Sequence, residues 1–275
     1  MQPYRTGIKV VRSQAIPGVT VAWRDAHATV EWNERAAIYS SAFFRGGRAE
    51  GKRIVNYMVD RFFDSDDPVQ HMREKCAEWG YTEQDTVGLM TAAKVTHMSL
   101  EEVEGDQFAL LCCVSAGTSN AARAGAVRTT YSAYVFPQAP VQEQEIAEGR
   151  TSCIPNSGAS MKPGTINILV VIDGRLKEAA IMNALMTITE AKTAALMDLG
   201  IRDAESGRAA TGTTSDAAAI AVLDSGRYIG EHQYAGTATT IGDSLARLVY
   251  DAVTEAVSTQ AEGDPYQFPT AGEAE

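Results

Sequence analysis

A chain of 275 residues with 45% hydrophobic and 21% charged residues is long enough to bury a sizeable core and carries no long low-complexity tract, which excludes a disordered or fibrous class. Its net charge of −11 argues against nucleic acid or an anionic membrane surface as the main partner, because phosphate groups select basic faces. No apolar run approaches the roughly 20 residues that span a bilayer, and the start, MQPYRTGIKVV, lacks the apolar core of a signal peptide, so a cytoplasmic protein is expected.

GIKVV, VTVAW, HATVEW and AAIYSSAFF are short, rich in β-formers and separated by turn residues, which predicts an opening meander of strands. After the glycine pair of FFRGGRAEG, Ile54, Val55, Met58, Val59 and Phe62 recur at helical spacing and predict a helix over KRIVNYMVDRFF. DDPVQHMREKCAEWG reads as a second helix, with an acidic cap region, Pro68 in its first turn and Gly80 at its end. TVGLMTAA and QFALLCCVSA read as strands, GTSNAARAG as a loop and TTYSAYVF as a further strand. Residues 137–164, rich in Pro, Gln, Glu, Gly and Ser, read as a long connection. TINILVVIDG is the strongest strand signal, and LKEAAIMNALMTITEAKTAALMDLG the strongest helix, ended by Gly200. SDAAAIAVL is another buried segment, and TTIGDSLARLVYDAVTEAV a closing amphipathic helix. Strands first and mixed elements later predict an α+β fold, a mixed sheet or sheets with packed helices. One domain is expected over residues 1–258, followed by an acidic flexible tail at 259–275.

The cysteines, Cys76, Cys112, Cys113 and Cys153, make no CxxC pair and no metal-ligand spacing, so they read as small buried hydrophobes, and no metal or cofactor is expected. His27, His71, His97 and His232 are scattered and read as structural or exposed. The helix over 179–199 is odd. Asn183, Thr187, Glu190 and Ala194 fall three or four residues apart and share a face, while the rest of the helix is apolar nearly all round. Such a helix is expected to be buried, and its polar stripe must be hydrogen-bonded or face a solvated cleft. Lys192 stands two residues from Glu190 and so reaches toward a different partner.

Three small-residue loops repeat the theme. GTSNAARAG offers Asn120 and Arg123, KPGTINI offers Thr165 and Asn167, and ATGTTSD offers Thr211, Gly212, Thr213, Thr214 and Asp216. Glycine lets backbone approach a ligand, and neutral hydroxyls and amides suit a pocket that reads amides or hydroxyls rather than phosphates. The bland alternatives are a polar seam satisfied by neighbouring backbone and an ordinary cap by Asp216. P-loop, GxGxxG, HExxH and GxSxG motifs are absent from the sequence.

GTINILVV, ITEAKTAALMDLGI, SGRAATGTTSD and YAGTATTIG, preceded by FFRGGRAEGKRIVNYMV, VGLMTAAK and SAGTSNAARAG, resemble the adenosylcobinamide amidohydrolases over roughly residues 36 to 255. The resemblance implies hydrolysis of the amide that joins a propionate of the corrin ring to an aminopropanol arm, in cobamide salvage. The corrinoid is then substrate, not prosthetic group, and the implied partner is that small molecule; homo-oligomerisation is left open. The implied catalytic candidates are Glu190, Asp216, Lys192, Thr211 and Thr213, and the implied binding residues Asn120, Arg123, Thr165, Asn167, Thr187, Gly212 and Thr214. Where the family pattern reads ATGTGTD, this chain reads ATGTTSD, so Thr214 stands for a glycine and Ser215 for a threonine, which puts substrate choice in question. Two schemes fit: Glu190 or Asp216 activates a water, or a threonine hydroxyl attacks and an acyl-enzyme forms. PGTINILVVID is also locally similar to the stretch around the nucleophilic threonine of ornithine acetyltransferase-like enzymes, which cleave their own chain before it. A corrinoid-binding protein without catalysis, or an amidase for another small amide, are the rival classes.

Overall fold

The computed structural model describes residues 1–24, 26–61, 63, 65–130, 132–133 and 164–263. Of the strand expected in TTYSAYVF, residues 129–130 and 132–133 are described and form no strand; the rest of it, the connection expected at 137–164 up to residue 163, Cys153 and the tail past residue 263 lie outside the described residues. Four strands open the chain: β1 (Val10–Arg12), β2 (Thr20–Arg24), β3 (His27–Ser40) and β4 (Gly47–Met58), each antiparallel to the next. Then come α1 (Pro68–Glu78), β5 (Thr86–Thr91), β6 (Ser99–Gly105), β7 (Phe108–Ala116) and the short β8 (Ala121–Ala122). The second half holds β9 (Ile166–Asp173), β10 (Arg175–Leu176), α2 (Glu178–Asp198), β11 (Gly212–Thr213), β12 (Ala217–Leu223), β13 (Glu231–His232) and α3 (Thr240–Thr259). The outcome is the α+β fold expected, with one mixed sheet in the order β1-β2-β3-β12-β9-β7-β6; β4 pairs with β3, and β5 with β4.

HATVEW and AAIYS fuse into the single strand β3, whose pairing with β4 shifts register between Glu31 and Ala36. The shift bends the ribbon. The sheet curls far enough for Asn56 of β4 to reach Ser115 of β7 and Asn167 of β9 at 2.8 Å each. Two hydrophobic cores fill the two sides. Leu111, Cys113, Leu169 and Val171 point into the curl, and Leu110, Cys112, Ile168 and Val170 point at α2 and α3. Strands buried on both faces read as unbroken apolar runs, which is why these two were plain in the sequence. Burying each such Leu, Ile or Val contributes about 1.5–3 kcal/mol.

The same two-sided burial explains the one element assigned wrongly. KRIVNYM is the second half of β4, not a helix. Ile54 goes into the curl with Val87 and Leu89, while its neighbour Val55 goes the other way, under α1 with Met72 and Cys76. Adjacent apolar residues that serve two cores imitate the spacing of one helical face. α1 forms as expected: Pro68 starts it, and Asp67 caps it by accepting from Gln70 N–H at 2.8 Å. Burial raises the Cys76 thiol to about 11, so it stays protonated and acts as a hydrophobe.

α2 departs from its expectation too. Ile181, Ala184, Ile188, Ala191 and Ala195 are buried against the sheet, but Met182, Met186 and Met197 are 46, 60 and 52% exposed. The helix is one-sided, with methionines on its outer face. Gly200 closes it at φ +68°, the left-handed conformation that glycine adopts without strain. Among the described residues, no helix is long and apolar enough to cross a membrane.

Candidate active site

β9 and β12 run parallel and side by side, so Thr165 and Asp216, each one residue before its strand, stand together at one end of the sheet. The end of β3, antiparallel to β12, brings Ser41 to the same place, and the end of β7, antiparallel to β9, delivers the loop at 117–122. Four strand ends thus converge where α2 passes over with Lys192.

Lys192 Nζ donates to Asp216 Oδ2 at 2.5 Å, and only 9% of the lysine is exposed. Thr213 N–H donates to the same oxygen at 3.0 Å. Asp216 Oδ1 accepts from Ile166 N–H at 3.1 Å and from the Thr213 hydroxyl. Each carboxylate oxygen therefore takes two hydrogen bonds, which fills its acceptor capacity. Asp216 serves as an anchor that fixes Lys192, the loop at 213–216 and the start of β9. The lysine keeps donors for a further acceptor, since an ammonium has three. Beside the pair lies a cavity of about 100 Å³ lined by Ser41, Ile166, Ile188, Thr189, Lys192 and Asp216, among others.

A second cluster shares the same loop. Thr165 Oγ1 is 2.8 Å from Ser215 Oγ and donates to Gly164 C=O at 2.8 Å; Ser215 Oγ donates to that carbonyl at 2.9 Å. Asn120 Nδ2 donates to Thr214 Oγ1 at 2.8 Å, so Thr214 ties the 213–216 loop to the 117–122 loop. A Cβ on Gly164 would stand 2.3 Å from Asn120 Oδ1 and 2.8 Å from Gly117 C=O, so only glycine fits.

Thr211 supports the loop: its hydroxyl accepts from Ala124 N–H at 2.9 Å, and its carbonyl accepts from Thr193 Oγ1 at 2.9 Å. Arg123 donates to Ala209 C=O at 2.8 Å and clamps the same loop from behind. Other residues stand apart. Thr187 donates to Ala235 C=O at 2.8 Å, with Asn183 accepting from Ala235 N–H at 3.0 Å. Asn167 turns into the curl, opposite to Ile166 and Ile168, and donates to Asn56 and to Met90 C=O. Glu190 is exposed on α2 and does not line the cavity. Ser41 and Ser215 were not singled out as site residues; the hydroxyl pair in YSSAF and the last hydroxyl of ATGTTS were the signals.

The clamp behind the loop is built on the buried Asp203. Desolvation pushes its carboxyl up, but bonds from Glu205 N–H, Ser206 Oγ and Arg123 N–H, with Arg128 beside it, win and hold it below the ordinary value of 3.8. A carboxyl held low in the fold stabilises fully above its unfolded pKa and loses that contribution as pH falls through the folded one. The stability advantage of wild type over Asp203→Asn is therefore expected to be full at neutral pH and to shrink below about pH 4. Urea midpoints at pH 7 and pH 3 read this; an equal gap at both would rule it out.

A family profile described as adenosylcobinamide amidohydrolase, CbiZ, matches residues 14–265. An adenosylcobinamide amidohydrolase of Methanosarcina mazei is 28% identical over 228 residues, 81% of this chain and 90% of that one. An uncharacterised protein of Methanocaldococcus jannaschii is 30% identical over 238 residues, 84% of this chain and 85% of that one. A crystal structure of a Pyrococcus horikoshii OT3 protein covers 92% of this chain and 82% of its own, at 10% identity and a TM-score of 0.35, too low to bear on function. The class is that of the amide hydrolases. Within it, the chain belongs to the adenosylcobinamide amidohydrolase family.

Proposed function

We propose that this protein hydrolyses the amide between the corrin-ring propionate and aminopropanol in adenosylcobinamide, releasing adenosylcobyric acid and 1-aminopropan-2-ol. Family membership supports the reaction, and the observation that carries it is the Lys192–Asp216 pair set beside a small polar cavity where four strand ends meet. Amide hydrolysis needs a nucleophile, a stabiliser for the oxyanion and a proton for the leaving amine. Lys192 fits the second role: held by Asp216, it has N–H groups left for the amide oxygen. Asp216, with its acceptor capacity filled, positions and does not take the proton. The cavity is large enough for an amide arm and not for the corrin ring, which stays outside with the exposed Met182 and Met186 on the same side of α2 as Thr189. Water adds across the C–N bond; carbon leaves as carboxylate and nitrogen as ammonium.

The test is incubation of the purified protein with adenosylcobinamide, followed by chromatography and mass spectrometry. Adenosylcobyric acid and aminopropanol in equal amounts are expected. Corrinoid binding without aminopropanol release would replace this reading with that of a binding protein. Turnover of other small amides without corrinoid affinity would replace it with that of a general amidase.

A further inference from the structure

The cluster around Thr165 has a feature that substrate binding does not require. A threonine hydroxyl lies 2.8 Å from the carbonyl oxygen of the residue before it, and a second hydroxyl, Ser215 Oγ, donates to that same carbonyl at 2.9 Å. The two hydroxyls are themselves 2.8 Å apart. A nucleophile, a polarising donor and a proton path therefore surround one peptide bond, Gly164–Thr165. Gly164 presents no side chain to hinder approach, and its close packing against Asn120, Gly117 and Ser119 fixes the carbonyl. On the other side of the bond, Asp216 Oδ1 holds Ile166 N–H and Thr165 C=O accepts from Gly117 N–H at 2.9 Å, so the strand is pinned on both sides of Thr165.

A second observation points the same way. Asn167, two residues on, is fully buried, yet its Oδ1 has no hydrogen-bond partner among the described residues. Asn120 Oδ1, against Gly164, is also unpartnered. Buried acceptors left open are costly unless something donates to them. A freed ammonium at Thr165 would bring three donors to the side of Gly164 that Asn120 Oδ1 faces.

We propose that the chain cuts itself between Gly164 and Thr165, and that the freed Thr165 is the nucleophile of the amidohydrolase. Thr165 Oγ attacks the Gly164 carbonyl carbon, and its proton passes by way of Ser215 Oγ to the Thr165 nitrogen. The C–N bond breaks, leaving an ester between Gly164 and Thr165 Oγ. Water hydrolyses the ester to the Gly164 carboxylate and restores the hydroxyl, now beside a free α-amine that can take its proton in the next attack. Asp216 joins this centre to the oxyanion donor, since one carboxylate holds both Lys192 and the residue after Thr165. The second half of the proposal rests on the amidohydrolase reading; the cleavage stands without it.

The full-length protein, incubated at neutral pH, is followed by denaturing electrophoresis, intact mass and N-terminal sequencing, with adenosylcobinamide turnover measured on the same samples. Two fragments are expected, residues 1–164 and 165–275, the second beginning at Thr165. Thr165→Ala is expected to stay one chain and to lose turnover, while Thr165→Ser still cuts. A wild-type chain that stays whole, or a fragment that begins elsewhere, overturns the cleavage; turnover by that whole chain would keep the amidohydrolase reading. Two fragments without turnover would keep the cleavage and overturn the role as nucleophile together with that reading.

Discussion

Replacing Lys192 by Met is expected to lower kcat for adenosylcobinamide by about 10²–10³-fold, the usual effect of losing one oxyanion donor. Methionine keeps the length and packing of the lysine stem but donates nothing. The carboxylate left behind is not orphaned: Ile166 N–H, Thr213 N–H and the Thr213 hydroxyl still bind it. Breaking a fully buried pair costs about 3–5 kcal/mol, and this one should cost less, because three donors remain and the cavity opens beside it. The variant therefore folds, and the loss appears in kcat. Glu190→Gln is the control. Glu190 is exposed and does not line the cavity, so its kcat is expected to stay close to that of wild type. A folded Lys192→Met variant with normal kcat would remove the lysine from the chemistry. A Glu190→Gln loss as deep as that expected for Lys192→Met would restore Glu190 as the base.

Much of this centre was legible because the family motifs are short and ordered: ITEAK contains Lys192, and ATGTTSD contains the loop that receives it. The pairing itself was not. Lys192 and Asp216 are 24 residues apart, and no periodicity joins a helix position to the residue before a strand. Alternation could have shown that Asn167 and Ile166 face opposite sides, but not which side holds the site; that depends on where α2 lies. Glu190 and Lys192 could be separated in advance, since residues two apart on a helix diverge, yet which one faces inward is set by packing against β9 and β12. Ser41 was invisible as a site residue. It reaches the cavity only because β3 lies antiparallel to β12, a pairing between residues more than 170 positions apart. The fold divides the same way. β9, β12, α2 and α3 announce themselves by apolar runs, caps and amphipathic spacing. β6 carries no unbroken apolar run because SLEEVEG is an outer strand with three glutamates, and β4 reads as a helix because its two faces serve two cores.

Gly212→Ala is the second large effect expected, and it isolates the pair without removing any charge. A Cβ at residue 212 would stand 2.4 Å from Asp216 Oδ2 and 2.8 Å from Lys192 Nζ, inside the contact distance of both. The backbone there is ordinary strand, paired to Ala122 on β8, so alanine brings no torsional strain. The added methyl must displace the carboxylate or the ammonium, and either shift opens the 2.5 Å contact. Overpacking of this kind costs about 1–3 kcal/mol of stability, enough to lower the melting temperature and not enough to unfold the protein. Its effect on kcat is expected to approach that of Lys192→Met. The double variant, Lys192→Met with Gly212→Ala, decides whether the two act through one contact. If they do, adding Gly212→Ala to a chain that already lacks the ammonium lowers kcat little further, because residues that share one interaction are not additive. Full multiplication of the two losses would mean that the glycine is needed for something else, such as close approach of the substrate to the 211–213 backbone.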